Sequence, residues 1–585
     1  MPNERGAGNG VASRATPDRD GRVRGRIATT SSPLHGDDRL GPNGRLIVVS
    51  NRGPITFELE RGAPAGLTGD RGPGGLVTAL AELGRHLPVS WVATALTPGD
   101  HVAAEALAGT YAGARVRRRP SSRSRPIRGE RVRARIDALV RERLPGQDLR
   151  LHLVPLPDEI FEPYYRRVCN PFLWFVQHLM YAPAYGPNVD ADLLDAWRNG
   201  YVPANERLAE GAVRAAARIR NPLVLLQDYH LYLAAARIRQ RRSDATILHF
   251  THIPWPPATV WQLLPRGMRR AICEGLLGAD IVGLQTDRYA SHFLDSVATF
   301  VPDAHVEPDG RSVEWRGRTI RVRSYPISVD PDGVRRVAGS MAVAERVERL
   351  EERLERVAAA NDGSRPALIV RADRIEPSKN ALRGFLAFEA MLVRRPELRD
   401  RVRFVAVQAP TRPGIAEYER YAAAVREVVA RVNGLAEPDD QPIWLYDGSD
   451  YAMAIAALRR ADVVLVNPIV DGMNLVAKEA ALVGDRSPVL VLSETAGAAE
   501  QLAADALPVA PADIVGTASQ LERGLAMSPD ERRARAARLR TAVREQDISW
   551  WINRQLRDLA AIRRGAQPPS RRLRDTVRRA EPETV

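Results

Sequence analysis

The sequence predicts an α/β fold made of two doubly wound parallel-sheet domains. Three observations carry this. Short apolar runs rich in β-branched residues recur along the 585-residue chain, each followed by a polar or Gly/Pro loop and then by a stretch of helical period. Most runs are apolar on both faces, as strands between two helix layers are. A cluster of breakers, Tyr325-Pro-Ile-Ser-Val-Asp-Pro-Asp-Gly333, divides the pattern in two, and the length suits two large units.

In chain order, residues 1–44 carry seven Arg and five acids with no apolar core, so they read as a disordered extension and not as a secretory leader. The first domain is placed at 45–330, with strands Leu46–Ser50, Leu223–Gln227, Thr246–Phe250 and Ile281–Leu284. Inside it, 115–136 holds ten Arg and one Glu and reads as a solvated basic loop. The second domain is placed at 331–545. It opens with Ala342–Asn361, whose Arg/Glu spacing gives an exposed helix with (i, i+4) pairs. Its strands are Leu368–Arg371, Phe404–Gln408, Ile443–Tyr446, Val463–Asn467 and Val489–Leu492. A helix at 546–564 follows, with Trp550 and Trp551 as packing anchors, and a basic disordered tail at 565–585.

Composition narrows the function. The net charge of +14 resides in the two tails and the 115–136 segment, and the remainder is near neutral. That argues against nucleic acid as the partner and leaves the segment as at most a tether for acidic partners. No run approaches the roughly 18 apolar residues of a membrane span. Cys169 and Cys273 are the only cysteines, too few for a disulfide framework or a Cys-based zinc site, so a reducing cytoplasm is the expected compartment. Of 85 basic residues only two are lysine, Lys379 and Lys478. Lysine is a slim point charge and arginine a planar fork. A lysine kept in so arginine-rich a chain marks a place where the fork does not fit.

In doubly wound sheets ligands bind at the carboxyl ends of the strands. After Leu46–Ser50 come Asn51-Arg52, a flexible stretch, and Arg71-Gly-Pro-Gly-Gly75 before an apolar helix. That is a helix mouth suited to an anion. After the next strands come Asp228-Tyr-His230 and Thr251-His252-Ile-Pro, an acid and an imidazole able to hold hydroxyls or protons. Tyr164, Tyr165 and Trp174 add aromatic surface at helical spacing. In the second half, Arg374 and Lys379 lie five apart after one strand, Arg412 follows the next, and Asp471-Gly-Met-Asn-Leu-Val-Ala-Lys-Glu479 follows a third. Two strand-end cations suit a diphosphate, whose departure they stabilise.

Taken in series over about 45–560, these motifs resemble the trehalose-6-phosphate synthases, retaining glycosyltransferases of the GT-B architecture. The resemblance implies an enzyme of trehalose biosynthesis that transfers glucose from a nucleotide sugar, with UDP, GDP or ADP left open, to glucose 6-phosphate. It implies that Arg374 and Lys379 grip the donor diphosphate together with the backbone of Gly75. Asp471, Gly472, Met473 and Asn474 hold donor sugar hydroxyls. Leu475 and Val476 line the nucleotide, and Glu479 takes the ribose. His252 bonds the donor sugar near the reacting carbon. Arg52, Tyr165 and Arg412 take the acceptor phosphate, and Asp228 and Trp174 place the acceptor ring. The catalytic set is therefore Arg374, Lys379, Asp228, His252 and Asp471, with no metal and no cofactor. The chain contains a D-x-D of the kind metal-dependent transferases use, Asp190-Ala-Asp192, but it follows no convincing strand.

The chain departs from the common pattern at Glu376-Pro377, Asn380, Val470 and Ala93-Thr94. The changes bear on donor and acceptor choice. Rival readings are a validoxylamine-type pseudo-glycosyltransferase, a glucosylglycerol-phosphate synthase, and a non-catalytic sugar-phosphate-sensing regulator. The last should have lost Arg374, Lys379 or Asp471, and all three are present. No acidic phosphatase block is found, and homo-oligomerisation stays open.

Overall fold

The computed structural model describes residues 44–72, 80, 83–110, 129–410, 415–434 and 440–565. Seventeen strands occur among them. In the first half these are β1 (Leu46–Ser50), β2 (Ile55–Leu59), β3 (Leu67–Arg71), β4 (Val89–Ala95), β5 (Leu149–Pro155), β6 (Leu223–Gln227), β7 (Thr246–Phe250), β8 (Ile281–Leu284), β9 (Ala304–Val306), β10 (Ser312–Trp315) and β11 (Arg318–Ser324). The second half holds β12 (Ala367–Arg374), β13 (Val402–Ala409), β14 (Ile443–Asp447), β15 (Val463–Val466), β16 (Val489–Ser493) and β17 (Leu507–Val509).

The first sheet has nine strands in the order β5-β4-β1-β6-β7-β8-β11-β10-β9, parallel except for the antiparallel β9-β10-β11 edge. The second is wholly parallel, in the order β14-β13-β12-β15-β16-β17. In both, the strand order reverses beside the first strand, between β1 and β6 and between β12 and β15. Chains leaving neighbouring strands there diverge to opposite faces and open a crevice. The sequence predicted strands at both reversals.

Each sheet has its own apolar core, because β1, β6, β7, β15 and β16 are buried along their whole length. Val470 and Tyr418 come from the second half of the chain yet belong to the first core, so the two cores meet. Phe175 and Tyr418 rings lie 5.8 Å apart at this seam.

Three expectations need correction. The stretch after Arg52 is not flexible: β2 and β3 form an antiparallel hairpin. Its Phe57 amide donates to the buried Asp100 carboxylate. Residues 129–136 of the basic segment are helical, within Gly129–Arg143, because Val132, Ile136 and Leu139 form a buried stripe. The segment 115–128 and the tails lie outside the described residues. The helix Met341–Ala360 is only partly exposed, since Val343, Leu350, Leu354 and Val357 are buried. The last helix, Ile548–Gly565, returns to the first sheet. There Trp551 is wholly buried, edge-on to Phe250 at 5.3 Å, and its indole N–H donates to the Tyr325 carbonyl. No helix among the described residues is long and apolar enough to cross a membrane.

Candidate active site

At the reversal of the second sheet, β12 ends on Arg374 and the chain turns through Pro377–Lys379. Asn380 then adopts φ 60°. This is the left-handed region, which Asn tolerates best after Gly. The Asn380 amide donates to the carbonyls of Asn467 and Pro511, and the Ile469 amide donates to the Ser378 carbonyl. The loop after β12 is thereby bolted to the loop after β15. A departure from the family pattern thus acts as a tie that glycine could not make.

On that tie stand the charged groups. Lys379 Nζ pairs with the Asp471 carboxylate, and Asn474 donates to the same oxygen at 3.2 Å. Burial alone would raise the Asp471 carboxyl. Lys379, by charge and by hydrogen bond, more than reverses this, so it lies below the ordinary value. Burial likewise works against the Lys379 ammonium, and Asp471, Glu376 and Asp373 together lift it above its usual value. Both groups are therefore charged at neutral pH. Arg374 pairs with the fully buried Glu376 at 3.3 Å, and its guanidinium lies 5.7 Å from the Trp174 ring. Beneath them Arg371, wholly buried, donates to Asp373, to Asn467 and to the Lys379 carbonyl.

The Asp471–Asn474 loop closes against the first sheet. A Cβ on Gly472 would lie 2.0 Å from the His252 carbonyl oxygen, and one on Gly497 would lie 1.9 Å from the Gly472 oxygen, so only glycine fits at either place. The Tyr289 hydroxyl donates across to the Asp471 carbonyl at 2.9 Å. Asn474, at φ 78°, caps the helix Leu475–Val483, giving that loop a helix N-terminus with its free N–H groups. Met473 is buried, while Leu475 and Val476 stand half-buried in the first turn. Glu479, one turn on, accepts from the Tyr451 hydroxyl at 2.8 Å, and burial pushes its carboxyl up to about 7.

Across the crevice, the loop after β1 exposes Arg52, which donates to the Tyr165 hydroxyl at 3.2 Å. Asn51 beneath it accepts from Tyr164 and from Thr94. Thr94, one of the departures from the common pattern, thereby supports this loop. After β6, Asp228 sits at φ 75° and accepts the His252 amide at 3.0 Å. His252 Nε2 lies 2.8 Å from Gln227 Oε1, and burial, with His249 nearby, brings the ring down to about 3, so it is neutral. Trp174 stacks on His178 at 4.0 Å. Burial lowers His178 to about 4 against the pull of Glu376 and Asp471. At neutral pH that ring is therefore uncharged, and it sits beside the charged cluster as a neutral neighbour.

The structure therefore brings Arg374, Lys379 and Asp471 together and faces them with Trp174 and His252; Arg52, Tyr165 and Asp228 line the first sheet's strand ends. Gly75 and Arg412 lie outside the described residues. The Asp190 carboxylate accepts from the Leu193 amide as a helix cap. Two residues of the cluster were not among the sequence candidates for the site. His178 lies one turn past Trp174, and Glu376 between the two cations was read only as a departure.

The model of glycosyltransferase family 20 matches residues 44–561. Validamine 7-phosphate valienyltransferase of Streptomyces hygroscopicus subsp. jinggangensis is 30% identical over 520 residues, 88% of this chain and 94% of that one. The trehalose-6-phosphate synthase of Mycobacterium sp. strain KMS is 31% identical over 91% of this chain and 99% of its own. Among solved structures, the α,α-trehalose 6-phosphate synthase of Burkholderia multivorans superposes with a TM-score of 0.69 at 28% identity, covering 89% of this chain and all of that one. The Burkholderia xenovorans enzyme, solved with glucose-6-phosphate, gives 0.68 at 27% identity over 88% and 100%. The parallel sheets, the charged crevice and these matches lead to one conclusion: the chain belongs to glycosyltransferase family 20, the trehalose-6-phosphate synthase family, and is a glycosyltransferase of GT-B fold.

Proposed function

We propose that this enzyme transfers glucose from a nucleotide diphosphate glucose to glucose 6-phosphate, with retention, forming α,α-trehalose 6-phosphate. The observation that carries the reading is the meeting of Lys379, Arg374 and Asp471 at the reversal of one sheet, opposite Trp174 and His252 of the other. Arg374 and Lys379 take the donor diphosphate. Asp471 and the 472–474 backbone hold sugar hydroxyls, with His252 beside the reacting carbon. Glu479 holds the ribose, with Leu475 and Val476 on the nucleotide side. Gly75 adds a backbone N–H to the diphosphate, and Arg412 joins Arg52 and Tyr165 on the acceptor phosphate. Asp228 and Trp174 place the acceptor ring.

A double displacement needs a carboxylate nucleophile close to the anomeric carbon. Asp471 is already engaged by Lys379 and Asn474. A front-face route suits this inventory better. The acceptor hydroxyl oxygen bonds to the anomeric carbon as the carbon–oxygen bond to the diphosphate breaks. Its proton passes to the departing phosphate oxygen, and the two cations stabilise the charge that separates.

A second reading has an observation of its own. Glu376 is a fully buried carboxylate paired with Arg374 at 3.3 Å, at a position where the chain departs from the common pattern, so the surroundings of that cation are altered. The likeness to a valienyltransferase points the same way. Product analysis by NMR, with glucose 6-phosphate and UDP-, GDP- and ADP-glucose in EDTA, separates the readings. The expected outcome is an α,α-linked disaccharide phosphate and free nucleoside diphosphate. Silence with every glucose donor, but coupling of a nucleotide cyclitol to an aminocyclitol phosphate, selects the second reading. Full loss in EDTA restored by magnesium refutes a transfer carried by Arg374 and Lys379 alone.

A further inference from the structure

Lys478 is the other lysine, and the transfer step does not use it. It lies one turn into the helix Leu475–Val483 and is wholly buried. Its Nζ donates at 2.8 Å to the carbonyl of Ile327. Ile327 belongs to 325–330, which carries the chain from β11 of the first sheet to the helix Pro331–Ala338. The chain's return crosses at the same place, where the Ile548 amide donates to the Val329 carbonyl. The Ile327 amide donates to Gln285 Oε1 at 3.0 Å, and Gln285 Nε2 donates to the His252 carbonyl at 3.2 Å. That carbonyl is the oxygen on which Gly472 rests. A closed circuit results: Asp471–Asn474 loop, Lys478, crossover, Gln285, His252, and back to the loop. No carboxylate appears among the influences on the Lys478 amine; burial alone lowers it, to about 7.

We propose that Lys478 is a positioning residue: it fastens the helix that begins at the Asp471–Asn474 loop to the interlobe crossover, so that the loop and His252 hold one spacing. The inference rests on the reading of that loop as the donor site for its kinetic consequence only. The slot takes an unbranched stem ending in one nitrogen. A guanidinium is longer and planar and brings several N–H groups to a single carbonyl. That accounts for a lysine surviving in a chain whose other cations, Lys379 apart, are arginine.

The test uses the full chain, with Lys478→Met and Lys478→Arg, read by amide hydrogen exchange without ligand and by steady-state kinetics. For Lys478→Met the expected result is exchange across 325–330 faster by about tenfold, a local opening, with the β12–β17 amides unchanged. Turnover falls by about tenfold, below the ~10²-fold that a 1 Å misplacement can bring, and the KM for the acceptor holds. Lys478→Arg is expected to be worse than Lys478→Met on both counts. Wild-type exchange at 325–330 in Lys478→Met overturns the proposal. So does exchange raised uniformly over the second sheet, which marks a merely structural residue, or a Lys478→Arg protein indistinguishable from wild type. Absence of turnover by the wild-type enzyme with any glucose donor counts against the proposed transfer and leaves the exchange result standing.

Discussion

Lys379 and Asp471 neutralise each other before any substrate arrives, and this sets what each substitution does. Lys379→Ala removes the cation from the proposed diphosphate site and leaves Asp471 a buried carboxylate without its strongest partner. By analogy with loss of an electrostatic donor to a developing anion, turnover should fall on the order of 10²–10³-fold. Steady-state rates check this, and a near-normal rate would remove Lys379 from the mechanism. Single residues were also where the sequence was most readable. Arg374, Lys379 and Asp471 stand within a few positions of apolar strands, so their convergence follows from the rule that parallel sheets gather strand ends at one edge. His178 carries no such mark. It reaches the cluster because Trp174, on which it stacks, packs against Tyr229 after β6 and lies beside Arg374, which is a tertiary fact. Glu376 was visible as an anomaly but not as a buried partner of Arg374.

Strands that are nearly continuous apolar runs were legible, and strands whose apolar run is interrupted were not. β1, β6, β7 and β15 read as continuous apolar runs and were found within one residue of their ends. β5 (Leu-Arg-Leu-His-Leu-Val-Pro) and β11 (Arg-Thr-Ile-Arg-Val-Arg-Ser) alternate apolar and cationic residues, as strands with a wet face do. That alternation was lost in the arginine-rich background. β4 was missed although every residue of it is buried, because Ser90, Trp91 and Thr94 interrupt the aliphatic run. The final helix illustrates the other limit. Its tryptophans were read as anchors, which holds for Trp551, but nothing local says that it anchors to the first sheet. Trp551→Ala should cost about 3–5 kcal/mol, because the ring fills the contact with Phe250 and its N–H holds the Tyr325 carbonyl. Denaturant unfolding measures this, and a loss under about 1 kcal/mol would mean that the site collapses around the gap.

Across the whole molecule, three buried imidazoles make the fold sensitive to acid. Burial lowers His249 and His252 to about 3 and His178 to about 4, against an ordinary value near 6.5. In that window the unfolded chain binds protons that the folded chain refuses, so stability falls as pH drops from about 6.5 toward 3. Each such imidazole adds about 1.4 kcal/mol per pH unit to the slope. His249 lies wholly buried inside β7 and is not itself a proposed substrate group, so it is the probe, although its charged form also bears on His252. His249→Gln should flatten the acid limb between pH 6 and 4 by one proton's worth, measured as unfolding free energy against pH. An unchanged slope would mean that the buried ring already carries its charge. The fold's largest lesson lies in the order of its parts. The part of the first sheet around Phe250 is not covered until Ile548–Gly565 folds back on it, and Trp551 lies 301 residues beyond the Phe250 it packs against. On the ribosome, that surface must therefore wait through translation of the entire second sheet. The nascent chain cannot finish its first half before its second half has been synthesised, and the exposed Phe250 face is what a chaperone would meet in the interval.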